Sequence, residues 1–127
     1  MSTIMVLDDD PVILDLLRTV LSDAGHTTLV ASRLDAVPIG ATAELVIIDL
    51  IPLKAYRRDV ALEWVTSVRA RFSGAPLFVV TAHAPAVAEP DILGADAILA
   101  KPFDVETLLA KVDELLGSGH DHMRKTP

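Results

Sequence analysis

Cysteine is absent from the 127 residues, which excludes disulfides, thiolate nucleophiles and zinc–sulfur sites. Aromatic residues make up only 4%, too few for the surface of stacking rings on which single-stranded nucleic acid is held. Basic charge is in deficit: 11 Lys and Arg against 18 Asp and Glu leave a formal net charge of −7. With a pI near 4.8, that balance argues against DNA or an anionic membrane as a direct partner. No apolar run approaches the roughly 20 residues of a membrane span. The N-terminus lacks a basic segment leading into a signal-type apolar core, so a cytoplasmic location is the expectation.

What is present is aliphatic. Apolar residues account for 51% of the chain, and with so few rings the core must be built from Val, Leu, Ile and Ala. The mean hydropathy of +0.44 indicates that much of the chain is buried, and the length allows one domain with a substantial core but no second one. Such a composition suits strands covered by helices.

The stretch Ile4-Met5-Val6-Leu7-Asp8-Asp9-Asp10-Pro11 is an apolar run that ends in three carboxylates. Four consecutive apolar residues read as a strand buried on both faces. Acids directly beyond it stand at the rim of a sheet, where open α/β folds place their ligands. Adjacent like charges destabilise one another unless a cation compensates them, and carboxylate oxygens suit a hard ion such as Mg²⁺. On these eight residues alone the alternative stands equally: Asp10 caps the next helix and its neighbours are solvated loop acids.

Along the chain, the Asp10-Pro11 pair starts a helix through about residue 24, with Ile13, Leu17, Val20, Leu21 and Ala24 on one face and Gly25 as its stop. A short strand spans Thr27 to Ala31. Ser32 then caps a segment from Arg33 to Ala43 that Pro38 and Gly40 limit to one or two turns. Leu45-Val46-Ile47-Ile48-Asp49 repeats the opening pattern of an apolar run closing on a carboxylate. A loop over 50–58 contains Pro52. Asp59 caps a helix with Leu62, Val65, Val68 and Phe72 on one face, and Gly74 follows it. Leu77 to Val80 and Ala97 to Ala100 are further strands. Between them, residues 83–94 contain Pro85 and Pro90, so no long regular helix is expected there. Asp104 caps the last helix, whose buried face carries Val105, Leu108, Leu109, Val112, Leu115 and Leu116. Gly117-Ser118-Gly119 is expected to end it, leaving residues 118–127 as a disordered polar tail after a 1–117 domain. Strands alternating with helical segments imply a parallel sheet with right-handed crossovers.

The carboxyl ends of these strands collect Asp8 and Asp9, Asp49, Thr81 and Lys101. Each alone has an ordinary explanation as loop acid, strand residue or solvated charge. Together they form a coherent set: carboxylates for a divalent cation, and an Asp49 oxygen as nucleophile. The cation, the ammonium and the hydroxyl would bind the other oxygens of a phosphoryl group.

At these residues the chain resembles the receiver domain of two-component response regulators (the CheY-like superfamily). The wording Val6-Leu7-Asp8-Asp9-Asp10-Pro11, the isolated Asp49, Thr81-Ala82, and Gly94-Ala95-Asp96 followed by Lys101-Pro102-Phe103 are close to that family's motifs over about residues 3–116. The resemblance implies a flavodoxin-like three-layer fold with strand order 2-1-3-4-5 and helices on both faces, the second and fourth short or irregular. It also implies a phosphoprotein of signal transduction rather than an enzyme, one that accepts a phosphoryl group on Asp49 from a histidine kinase or phosphotransfer protein. Mg²⁺ would be held by Asp8, Asp9, Asp49 and the backbone carbonyl of Ile51, with Asp10 as helix cap. Thr81 would be the switch hydroxyl and Lys101 a phosphoryl contact, aimed inward by a cis bond to Pro102.

Two departures bear on how such a switch would work. Pro52 comes three residues after Asp49 rather than four, and no glycine follows it. The switch position of the fifth strand, usually Tyr or Phe, is Ile98, which has no ring to swing in step with Thr81. His83 would lie where such domains tune phosphoryl lifetime, though an exposed loop histidine is the simpler reading. His120 and His122 are read as tail residues. No output domain is visible, so output is expected through contact with an unidentified protein. Two alternatives belong to other classes: a receiver-like interaction module that does not switch by phosphate, and a metal-dependent phosphohydrolase. The second lacks another acid two residues beyond Asp49.

Overall fold

The unbroken apolar runs form the middle of a sheet, because only strands covered on both faces can afford no polar alternation. The structure, a computed structural model, describes residues 2–50, 57–83 and 94–124, and beyond Gly117 the backbone alone. Its strands are β1 (Thr3–Leu7), β2 (Thr27–Ala31), β3 (Leu45–Ile48), β4 (Leu77–Thr81) and β5 (Ala97–Ala100). Its α-helices are α1 (Pro11–Asp23), α2 (Arg58–Arg71) and α3 (Val105–Arg124). The five strands form one parallel sheet in the order β2-β1-β3-β4-β5. This is the flavodoxin-like arrangement, with β1, β3 and β4 central and almost wholly buried and β2 and β5 as half-exposed edges.

Alternate residues of each central strand serve opposite layers. Met5, Leu7, Val46, Ile48, Leu77 and Val79 meet Ala61, Val65 and Val68 of α2 and Phe72 just beyond it. Ile4, Val6, Leu45, Ile47, Phe78 and Val80 meet Leu17 and Leu21 of α1 and Leu108, Val112 and Leu115 of α3. Burying each such aliphatic side chain stabilises the fold by about 2 kcal/mol, so the two layers clamp the sheet from both sides and hold its rim in place.

Local signals explain most boundaries. The Asp10 carboxylate accepts the Val12 N–H at 2.9 Å with Pro11 in the first turn, which starts α1. Gly25 follows that helix at a φ of +96°, a left-handed conformation that a side chain would disfavour. Asp104 caps α3 by accepting both the N–H and the hydroxyl of Thr107. The weak segment after β2 is a single 3₁₀ turn, Leu34–Ala36, with Arg33 rather than Ser32 at its start.

Two helix ends differ from expectation. Asp59 does not cap α2: Arg57 holds that position with no side-chain cap, and Asp59 sits in the first turn paired with the Arg57 guanidinium at 2.9 Å. An acid there still favours the helix by facing the positive end of its dipole. α3 does not stop at Gly117 but continues through Ser118 and Gly119 to Arg124. A glycine costs a helix about 1 kcal/mol relative to alanine, a penalty rather than a barrier once a ladder is running. The Ile51 carbonyl, Pro52, and the 83–94 segment with Pro85 and Pro90 fall wholly or mainly outside the described residues. No described helix is long and apolar enough to cross a membrane.

Candidate functional site

Parallel pairing brings the strand ends to one rim. Leu7 lies beside Ile48 in register, so Asp8 and Asp49 leave the sheet as neighbours. Thr81 lies beside Ala100, so Lys101 follows next to it. Backbone bonds fix all three exits: Asp8 N–H donates to the Ala31 carbonyl at 3.2 Å, Asp49 N–H to Leu7 at 2.9 Å and Lys101 N–H to Thr81 at 2.8 Å. The Lys101–Pro102 peptide is cis, as the resemblance implied.

The side chains converge. The Lys101 ammonium lies 2.8 Å from Asp8 Oδ2 and 3.5 Å from Asp49 Oδ2, with all three side chains less than one fifth exposed. The other Asp8 oxygen accepts the Asp10 N–H at 2.9 Å. Asp9 is exposed, yet Asp8, Asp9 and Asp49 each offer a carboxylate oxygen within 4.8 Å of the others. The triplet thus divides: Asp8 and Asp9 join Asp49, while Asp10 works on α1.

Burial, and then the neighbouring Asp8 charge, push the Asp49 carboxyl above the usual carboxylate range. The Lys101 charge and the Leu50 N–H work against that rise. For Lys101, burial disfavours the ammonium, but the Asp8 hydrogen bond and the charges of Asp49 and Asp8 outweigh it and hold the group above its ordinary value. Three carboxylates against one ammonium leave two formal negative charges. All the donors are hard oxygens, so the set fits a small divalent cation such as Mg²⁺.

Thr81 is fully buried at the same rim, where its hydroxyl accepts the His83 N–H at 3.0 Å. Ile98 lies lower in β5, opposite Val79, and packs half-buried against the α2-side core. Beside Lys101 a cavity of about 370 Å³ is lined by Ile13, Leu16, Ala82, Pro102 and Phe103.

One contact was not foreseen: the Trp64 indole N–H on α2 donates to the Asp49 carbonyl at 2.8 Å. The available signal was its place between Leu62 and Val65 on the buried side of the helix. A tryptophan at such an edge needs an acceptor for its N–H, though the sequence does not say which.

No protein-family model matches the chain, and no curated protein does. Solved structures do. Full-length FixJ from B. japonicum superposes with a TM-score of 0.75 at 26% identity, over 97% of this chain and 61% of FixJ. The response regulator TrrA from Thermotoga maritima, solved in complex with Mg²⁺ and beryllofluoride, gives 0.71 at 25% identity over 91% of this chain and 99% of its own. A CheY-like response regulator receiver domain protein from Methanospirillum hungatei gives 0.74 at 23% identity, covering 96% and 98%. The chain therefore spans about three fifths of FixJ and nearly all of the other two.

Proposed function

From the premise that the chain is a CheY-like receiver domain, we propose that Asp49 accepts a phosphoryl group from the phosphohistidine of a kinase or phosphotransfer protein. The observation that carries the reading is the convergence of Lys101 on Asp8 and Asp49 within the spacing of a three-carboxylate cation site. A carboxylate oxygen of Asp49 forms the new O–P bond as the N–P bond of the donor breaks. The departing imidazole nitrogen keeps the bonding electron pair and takes a proton from solvent. Asp8, Asp9 and Asp49 would hold Mg²⁺, with the Ile51 carbonyl as a further candidate ligand. The ion supplies positive charge to a group that carries negative charge on its outer oxygens.

The residues of the chain do the rest. Lys101 offsets part of the charge of the paired acids and stands where it can meet a phosphoryl oxygen on Asp49. Thr81 offers a hydroxyl at the same rim. Exposed Leu16 on α1 lines the cavity at Lys101 and Phe103, and exposed Val12 stands one turn before it, which gives a donor protein an apolar edge near the site. The chain acts as a phosphoacceptor of cytoplasmic signal transduction, passing its state on by protein contact.

Incubation with acetyl phosphate and Mg²⁺, read by intact mass, tests this. One phosphoryl group should appear on the wild type and none on Asp49→Asn. An adduct that survives the substitution, or none on the wild type, overturns the assignment.

Ile98 favours a second reading. With an aliphatic residue packed at the switch position, the domain would be a receiver-like interaction module whose partner contacts ignore phosphate. Partner affinity that changes severalfold on addition of beryllofluoride argues against it.

A further inference from the structure

We propose that Trp64 is a positioning residue for the acceptor: its indole N–H holds the Asp49 carbonyl and so fixes the peptide from which the acceptor carboxylate projects. The inference rests on Asp49 being the phosphoacceptor. Asp49 is one residue beyond the paired part of β3, whose last partners are Leu7 and Val79 opposite Ile48. Its N–H still donates to Leu7 at 2.9 Å, but its carbonyl has run past that ladder. There the indole N–H meets it at 2.8 Å.

The Asp49 residue is thereby held on both sides of its Cα, by β1 through the N–H and by α2 through the carbonyl. The anchor on the second side is seated on the core. Trp64 packs against the core layer in which Ala61, Val65 and Val68 seat α2 on the sheet. Rotation of this backbone would swing the carboxylate relative to Lys101 and to the Asp8 and Asp9 oxygens. An error of about 1 Å in such an alignment can cost a reaction as much as a hundredfold. The polar contact of Trp64 is to the Asp49 backbone and not to a carboxylate of the site, so its effect is exerted through Asp49.

The chain has a single tryptophan, so ¹⁵N-labelled protein gives one indole N–H resonance. Trp64→Phe keeps an aromatic ring and removes the donor. The expected result is a slowing of adduct formation from acetyl phosphate by about tenfold at saturating donor and Mg²⁺, in a variant that stays folded by its amide spectrum. The wild-type indole resonance should shift when Mg²⁺ and beryllofluoride are added. Equal rates in folded variant and wild type overturn the proposal and leave the acceptor reading intact. A wild type that forms no adduct removes both. If Trp64→Phe does not fold, the wild-type spectrum decides. A shifted indole resonance supports the proposal, and one that stays fixed while the Asp8 and Asp9 amides move overturns it.

Discussion

Asp49 carries its charge against burial and against Asp8, with Lys101 as partial compensation. In the unfolded chain an aspartate titrates near 3.9; in the fold, Asp49 keeps its proton to higher pH. Between those values the folded state binds more protons than the unfolded one. The Asp49 contribution therefore turns unfavourable as pH rises through the folded pKa. Lys101 shifts in the opposite functional sense. Its raised pKa gives stability that is complete below the unfolded value of about 10.4 and is lost only as pH climbs through the higher folded one. Asp49→Asn should accordingly stabilise the metal-free protein at pH 7. That gain should vanish once both states of the wild type are protonated. Urea melts of both proteins across this range check it; a variant less stable at pH 7, or a gain independent of pH, contradicts it. At this scale the acids were readable because an apolar run that stops on a carboxylate places the charge at a sheet rim. Trp64 was not, because the reach of a helix-borne ring to a strand-end carbonyl is settled only when the two elements pack.

The segment between β2 and β3 shows what an element needs when its own sequence is weak. Pro38 and Gly40 leave a single 3₁₀ turn there, and Arg71 at the end of α2 secures it from outside. Its guanidinium donates to the carbonyls of Val37 at 3.1 Å and Pro38 at 3.2 Å, and more distantly to Leu34. Val37 is buried beneath. Arg71→Ala should cost about 2 kcal/mol and speed amide exchange at Ala36 and Val37, whose N–H groups close the turn, with the strands unaffected. Unchanged exchange there contradicts the role. The strands and α1 were legible because apolar runs, a capping acid and a stop glycine all agree. The ends of α2 and α3 were not. Asp59 favours the first turn nearly as well as the cap, and the glycines after Leu116 only penalise a helix that continues.

For the whole molecule, the parallel topology makes the site a property of the complete sheet, since its acids and its lysine directly follow β1, β3 and β5. A cation bound there is bound only by the folded chain, so Mg²⁺ at a hundred times its dissociation constant should add about 2.7 kcal/mol to stability. Thermal melts should rise by several degrees in the wild type and not in Asp8→Asn; a wild type indifferent to Mg²⁺ contradicts the cation site. The same geometry has a consequence for how the protein is made. The lysine that meets Asp8 lies 93 residues further along the chain. At about 5–20 residues per second, a ribosome takes roughly 5–20 s to supply it. During that interval the nascent chain carries Asp8, and later Asp49, without the Lys101 ammonium they meet in the fold. The ammonium that offsets part of the charge at the rim arrives only with the last strand, which ties completion of the fold to completion of the site.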